Sequence, residues 1–450
     1  MKSIKIMLLL IIGLFIADIT FAQQSLSLKE ALNYAIKNSE NIKKAKLDIE
    51  GGKYATAEIK AQALPQINGT GTLTNNLILQ QNPLPGELVG RPGETVLVAF
   101  GTKWNSAAQV QLSQQIFNQS VFTGLKAAKS GEDFYNLSAE LTEESVIQQV
   151  ASAYYQVLVY KENIAVLDSN INSLKSTQKI VSAQYQNGLA KKIDLDRVKV
   201  SLTNLLNQRA QVIDGVTQQE NLLKFYMGMP ISTAIDIPTI NFKELNIDAN
   251  KIADSLTLAD LTEYKVLMKQ KELLQFQKKA NQAEYLPKLS FNSNFAYTGV
   301  SQKFDLYRRN NGTATWFDAS SLGLTLNIPI FDGFARRSRV NKADVEIRKI
   351  NEELTLTKQS LNLAYENAKI QIRNSVNTIN SQEENKQLAQ EIYNSTQNNY
   401  KNGLASLTDL LDAESSLTEA QNSYNQALLN YKLAEIQLIK SKGNIQNLLN

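Results

Sequence analysis

Hydrophobic positions along the chain follow two periods. Over most of the length they return every three or four residues, the spacing of a helix face. In two segments, near residues 60–120 and 285–332, they alternate instead. The first helix starts at Ser27-x-x-Glu30, a capping-box pattern, and runs to Leu64, where Pro65 stops it. Further helices are predicted over about 119–186 and 191–228, the latter ending at Gly228, Met229 and Pro230. Residues 229–254 carry Pro230 and Pro238 and read as an irregular connector. Helix resumes near 259, stops before Pro287, and returns over about 333–399 and 405–449.

The alternating segments predict strands with one apolar face. Ile67, Gly71 and Leu73 lie on such a face in 65–73. Ala108, Val110, Leu112 and Ile116 do so in 107–117, with Gln109, Gln111, Ser113 and Gln115 between them. Leu289, Phe291, Phe295 and Tyr297 follow in 287–299. Leu322, Leu324, Leu326, Ile328 and Ile330 follow in 320–331. The strands form two pairs, 65–117 and 287–331, each joined by a loop rich in Pro, Gly and Asn (about 80–103 and 300–318).

The two halves repeat one another. ALPQI (63–67) is echoed by YLPKL (285–289), and SQQIFNQ (113–119) by NIPIFDG (327–333). YQNGLAKKIDL (185–195) is echoed by YKNGLASLTDL (400–410). Each half reads helix, strand, strand, long helix, turn, helix, so the chain is an internal duplication. Its organisation is a first repeat 23–228 with a turn at 187–190, the connector 229–254, and a second repeat 255–450 with a turn at 402–405.

The last helix carries a heptad seam. Leu410, Leu417, Tyr424, Tyr431 and Leu438 repeat every seven residues, with Ala413, Ala420, Ala427 and Ala434 between them. Leu195, Val198, Leu202, Leu205, Val212, Val216 and Leu223 keep the same phase in the first half, interrupted by Arg209 and Gln219. At 1.5 Å per residue the helix over 119–186 would be about 100 Å long, too long for a compact domain. Helices one and three, about 37 and 38 residues, together match its length. They should therefore stack end to end beside it, with the connector where they meet.

Composition removes whole classes of chemistry. The 450 residues include no His and no Cys, which excludes thiol nucleophiles, disulfides, imidazole acid–base catalysis and Cys/His metal sites. No motif positions a serine or a carboxylate for catalysis, so the chain reads as no enzyme and as needing no cofactor. Lys+Arg 47 against Asp+Glu 43 is near balance and dispersed, which argues against a nucleic-acid partner.

At the N-terminus, Lys2 and Lys5 precede IMLLLIIGLFI and then ADITFA, the pattern of a signal peptide over 1–22 cut after Ala22. A membrane anchor is the alternative, but the run is short for a span. No other stretch predicts a transmembrane helix, so entry into a membrane would have to be as β-structure. Four strands cannot close alone. They would have to join strands of other copies, with Trp104, Tyr297, Tyr307, Trp316 and Phe317 as interfacial aromatics. The competing fate is a soluble periplasmic sandwich with those aromatics inside.

The order and spacing of these motifs, with the doubled Y-x-N-G-L-A and its following Asp, resemble the TolC family of outer-membrane efflux channels over nearly the whole mature chain. The resemblance implies a mainly α fold with a small β part. A homotrimer would form a long α-barrel of coiled-coil hairpins below a 12-stranded transmembrane β-barrel. It implies an outer-membrane location with extension into the periplasm, and partnership with a periplasmic adaptor and an inner-membrane transporter. The channel would be a passive conduit for small molecules or for proteins of type I secretion.

The resemblance also implies site residues. Asp409 and Asp412 match aspartates that ring the closed periplasmic tip. One helical turn apart, three copies of each would bring like carboxylates together and attract cations. Asp194 and Tyr400 match a link between hairpins that holds the tip shut. Ala405 stands where the family pattern has an arginine, and Arg197, one turn after Asp194, is the candidate substitute. Gly188, Leu189, Gly403 and Leu404 match the adaptor-docking tip. Plainer readings stand beside these: Gly188 and Gly403 as helix-ending C′ residues, Asp409 as the capping partner of Ser406, Asp412 as a solvated carboxylate. The rival function is a periplasmic coiled-coil structural or adaptor protein. It leaves almost no chain for the small β-domains that such adaptors carry.

Overall fold

The computed structural model describes residues 26–238, 256–308 and 313–449. The leader expected over 1–22 and the connector from residue 239 to 254 lie outside the described residues. In chain order the elements are α1 Leu28–Asn38, α2 Glu40–Ala61, β1 Gln66–Asn75, β2 Gln81–Pro85, β3 Thr95–Ala99, β4 Trp104–Phe117, α3 Gln119–Gln186 and α4 Lys192–Met227. Then come α5 Thr262–Ala283, β5 Lys288–Ser301, β6 Thr315–Asn327, α6 Ala335–Lys401 and α7 Leu407–Ser441. Among the described residues no helix is long and apolar enough to cross a membrane.

The chain divides into two compact units, and each draws on both halves of the sequence. One takes Met1–Asp48, Asn136–Val266 and Leu354–Asn450; the other takes Ile49–Tyr135 and Leu267–Glu353. In the first unit Leu32 and Ala35 of α1 bury against Ile147, Val150, Tyr154 and Leu158 of α3, with Leu223 and Met227 from the end of α4. Further along, the a/d seam of α7 closes on α6: Tyr424, Ala427, Tyr431, Ala434 and Leu438 pack with Tyr365, Ala368, Ile372 and Ile379. Alanine at alternate seam positions is what allows the two helices to approach closely.

The single first helix expected over 27–64 is two helices. The capping box at Ser27 is present: Ser27 Oγ accepts from Glu30 N–H, and Ser27 N–H donates to Glu30 Oε2 at 2.8 Å. At Ser39, however, the backbone leaves the helix with φ −56°, ψ 129°. Gly228, the left-handed C-cap of α4 at φ 71°, sits directly on this break, where a Cβ would lie 2.4 Å from Asn38 O. The break is therefore a tertiary fit, and only a residue lacking a Cβ permits it.

The second unit contains a four-stranded antiparallel sheet in the order β1-β4-β5-β6. Its register places the expected apolar positions up to Leu326 on a single face apart from Ile116, and Ile328 and Ile330 lie beyond the end of β6. Ile67 lies opposite Leu112, Gly69 opposite Val110, Val110 opposite Phe295, and Phe291 opposite Leu324. The exception is Ile116: a bulge between Gln115 and Phe117 brings Phe117 opposite Leu289 in its place. The other face carries Asn68, Thr70, Gln109, Gln111, Asn292, Asn294 and Thr325. β6 ends at Asn327, short of the expected 331, because Pro329 has no N–H for the ladder.

The loop expected over 80–103 contains a hairpin of its own, β2 paired with β3 around a 3₁₀ turn at Gly86–Val89. Pro83 and Pro85 sit in it without breaking a sheet, since both strands of a two-stranded ribbon are edges. Aromatic residues gather where β5 and β6 meet their connecting loop: Tyr297 stacks on Trp316 at 4.9 Å, with Tyr307 6.1 Å from the same ring.

Candidate functional site: the paired hairpin turns

The two Asn-Gly turns have one geometry. After α3, Gly188 N–H donates to Tyr185 O at 3.0 Å and Leu189 N–H to Gln184 O at 2.8 Å. After α6, Gly403 N–H donates to Tyr400 O at 3.0 Å and Leu404 N–H to Asn399 O at 2.8 Å. These are the two bonds of a Schellman C-cap, which needs a left-handed residue at C′; both glycines have φ 75°. The side-chain amides of Asn187 and Asn402 cap back onto Ala183 O and Asn398 O. Leu189 and Leu404 emerge from the turns 80% and 79% exposed. Helix capping and exposed leucines thus coexist in the same five residues.

The helices that leave the turns begin differently. At α7, Ser406 and Asp409 close a capping box: Ser406 N–H donates to Asp409 Oδ2 at 2.9 Å and Ser406 Oγ–H to the same oxygen at 2.7 Å. These bonds hold the Asp409 carboxyl below its ordinary value. Asp412, one turn on, is exposed and its carboxylate enters no such box. At α4 the same place is held by Lys191, which has no side-chain acceptor, and Asp194 accepts the Lys191 N–H at 3.3 Å.

Two hydrogen bonds join the hairpins beside the turns. Tyr400 Oη–H donates to Gln184 Oε1 at 3.3 Å, so the direct partner of the tyrosine is Gln184 and not Asp194. Burial, and then the nearby charge of Asp194, push the Tyr400 phenol up. Arg197 donates from Nη1 to Thr408 Oγ1 at 2.8 Å and does not pair with Asp194. Below these bonds Leu195, Val198 and Leu202 of α4 bury with Ile171, Leu174 and Val181 of α3, and Leu407 of α7 joins them.

Sequence reasoning missed a second stripe on α7. Leu411, Glu414, Thr418, Gln421, Asn425, Leu428, Lys432 and Glu435 also recur at spacing 3,4 and are buried or half-buried. This stripe meets α3 of the other hairpin through polar contacts. Asn170 Nδ2 donates to Thr418 Oγ1 at 2.7 Å and to Gln421 Oε1 at 3.3 Å, and Asn425 Nδ2 donates to Asn163 Oδ1 at 2.8 Å. On α6, Tyr393 donates to Ser173 Oγ at 3.1 Å. Glu414 is the exception. It is 5% exposed, its Oε1 has no hydrogen-bond partner, and burial alone pushes it up to about 7. Its position was readable as an acidic residue one place after a seam alanine, within a second 3,4 stripe.

The comparisons with known proteins come to the same architecture. The family model described as "Outer membrane efflux protein" matches residues 31–229 and 269–444. The chain is similar to "Outer membrane protein TolC" of Escherichia coli (strain K12), 21% identical over 459 residues, covering 99% of this chain and 88% of that one. It is similar to "Alkaline protease secretion protein AprF" of Pseudomonas aeruginosa, 22% identical over 345 residues, covering 73% of this chain and 68% of that one. The crystal structure of the outer membrane protein VceC from Vibrio cholerae shares its fold with a TM-score of 0.73 at 16% identity, over 92% of this chain and 96% of that one.

Proposed function

The chain belongs to the outer membrane efflux protein family, and from that premise we propose that three copies assemble into one channel whose periplasmic mouth is built from the paired turns. It is an outer-membrane channel-tunnel for efflux or secretion that extends into the periplasm. The observation that carries the assembly is the sheet. Its apolar face is bare, with Leu322 75%, Leu324 67% and Ile67 66% exposed. Among the described residues, β1 and β6 each pair on one side only. A face of that kind is stable in hydrocarbon, and open edges are not, so each copy must pair its edges with neighbours. Three copies supply twelve strands.

The gate would lie at the two turns, where α3 and α6 end. The exposed Asp412, and Asp409 held ionised by its cap, would face the axis as rings of like charge. Tyr400–Gln184 and Arg197–Thr408 would hold the hairpins closed. Leu189 and Leu404, presented by Gly188 and Gly403, would be the apolar contacts for a periplasmic adaptor that connects to an inner-membrane transporter. Purified in detergent, the protein should run as a heat-sensitive oligomer and form conducting channels in planar bilayers. A monomeric, freely water-soluble sample would end this reading.

A further inference from the structure

Where α3 leaves β4 and α5 runs into β5, the two helices line a groove of about 360 Å³ within the second compact unit. Ser120 Oγ–H donates to Ala280 O at 3.4 Å and ties the helices together beside it. Phe122, Phe276 and Leu286 are its large apolar residues, Lys126 and Lys279 its charged ones, and no Asp or Glu lines it. Lys279 Nζ stands 5.4 Å from the centre of the Phe276 ring, and among the described residues neither lysine pairs with a carboxylate. Glu284, next to the lining residue Ala283, is held by Arg339 Nη2 at 2.6 Å.

Three relationships locate the groove. Phe122 lies 6.2 Å from Phe117, which is paired across from Leu289 on the apolar face of the sheet, so the groove continues that face. The sheet order puts β4 and β5 in the middle, each paired on both sides. The groove at their ends is therefore away from β1 and β6, the edges that neighbouring copies would take. Polarity also runs along it. Phe122 lies four residues nearer β4 than Lys126, and Leu286 seven residues nearer β5 than Lys279.

We propose that this groove holds the headgroup of an anionic phospholipid from the leaflet that faces the periplasm. Its phosphate would meet Lys126 and Lys279, and an acyl chain would follow Phe122 and Phe117 up the apolar face. The inference rests on the reading that this face meets lipid. Apolar residues toward the strands and unpaired lysines beyond them match the division of a phospholipid into chain and head. A cation would meet two ammonium groups. Inorganic phosphate would meet the lysines but leave Phe122 and Leu286 facing water. A zwitterionic headgroup brings an ammonium of its own, for which the groove has no carboxylate.

The test is native mass spectrometry of the full chain, purified as a heat-sensitive oligomer in neutral detergent. Dioleoylphosphatidylglycerol, dioleoylphosphatidylcholine and inorganic phosphate are added separately at equal concentration. Wild type should retain the phosphatidylglycerol about tenfold over the phosphatidylcholine, and no phosphate. This comparison needs no substitution, so a poorly folding variant does not decide the matter. Lys126→Gln with Lys279→Gln should bring the two lipids to parity. Lys44→Gln with Lys46→Gln, which removes the same charge from α2 in the other compact unit, should keep the preference. The inference is overturned by equal retention of both lipids in wild type, by a preference that survives Lys126→Gln with Lys279→Gln, by its loss in the Lys44 and Lys46 variant, or by phosphate retained as well as phosphatidylglycerol. Each of these results in an intact oligomer leaves the channel reading standing. A water-soluble monomer ends that reading and this inference with it.

Discussion

Arg197 Nη1 donates to Thr408 Oγ1 across 2.8 Å, tying the second turn of α4 to the first turn of α7. Tyr400 and Gln184 make the matching tie between the ends of α6 and α3. Neither bond has charge on both sides. Each is therefore a link of about 1 kcal/mol, where a buried ion pair broken on one side would cost several. In the proposed gate, a closed state held by these two bonds would be held lightly.

The first prediction follows from that weakness. Arg197→Ala with Tyr400→Phe should shift the closed–open balance about thirtyfold toward open, while either change alone does less. Single-channel recordings check it: mean conductance should rise in the double variant with oligomer yield unchanged. Unaltered conductance would show that the apolar cluster around Leu195, Val198 and Leu407 closes the hairpins without help.

Asp409 and Asp412 should separate in their effects. Asp409 accepts both Ser406 N–H and Ser406 Oγ–H, so Asp409→Ala removes a cap and should cost about 1 kcal/mol of stability. Asp412 has no such duty, and Asp412→Ala should leave the melting temperature unchanged while weakening block by a trivalent cation. Block and melting measured on both single variants decide the assignment. Block unchanged in both variants would remove these residues from the pore.

A pH dependence follows from Glu414. Its folded value, about 7, lies above the ordinary 4.5. The proton is thus bound more tightly in the folded chain. The stability this adds is full below about 4.5 and is lost as pH rises through 7, about 3 kcal/mol in all. Wild type should accordingly be more stable at pH 4.5 than at pH 8 at this site. Glu414→Gln, neutral throughout, should match wild type in acid and exceed it at pH 8. Thermal scans at both pH values check the sign, and a variant less stable at pH 8 would contradict it.

What could be read from the chain, and what could not, divides by physical cause. The α7 seam was legible because Leu410, Ala413, Leu417 and Ala420 repeat in phase over four heptads, and hydrophobic period is a strong signal. The second stripe was not, because Thr418, Asn425 and Lys432 are polar and look like a solvated face until α3 is placed against them. The break at Ser39 was hidden for a related reason: nothing near it breaks helices, and its cause is Gly228, almost two hundred positions away. Pro83 and Pro85 argued against strands that exist, since their rule holds for interior strands and this hairpin has none. The sheet was legible strand by strand through alternation, but its bulge at Gln115–Phe117, which displaces Ile116, belongs to the pairing and not to either strand.

The final prediction tests the sheet. Leu324 pairs across from Phe291 on the apolar face, and its neighbour Thr325 pairs across from Ser290 on the polar face. The two are adjacent in sequence, and on opposite sides of one strand. If the apolar face meets lipid, Leu324→Arg places a guanidinium in hydrocarbon, at a cost of about 2–4 kcal/mol per copy near the bilayer midplane. Thr325→Arg points the same group into a polar lumen at little cost. The first variant should lose heat-sensitive oligomer from the outer-membrane fraction, and the second should retain it with altered ion selectivity. In a water-soluble sandwich with its apolar face packed inside, Leu324→Arg would instead abolish folding outright and leave no soluble or membrane-bound protein. The distinguishing measurement is the refolding yield into detergent micelles against lipid bilayers. A lipid-facing arginine is tolerated better at a micelle surface than in a bilayer of fixed thickness, whereas a core arginine is tolerated in neither.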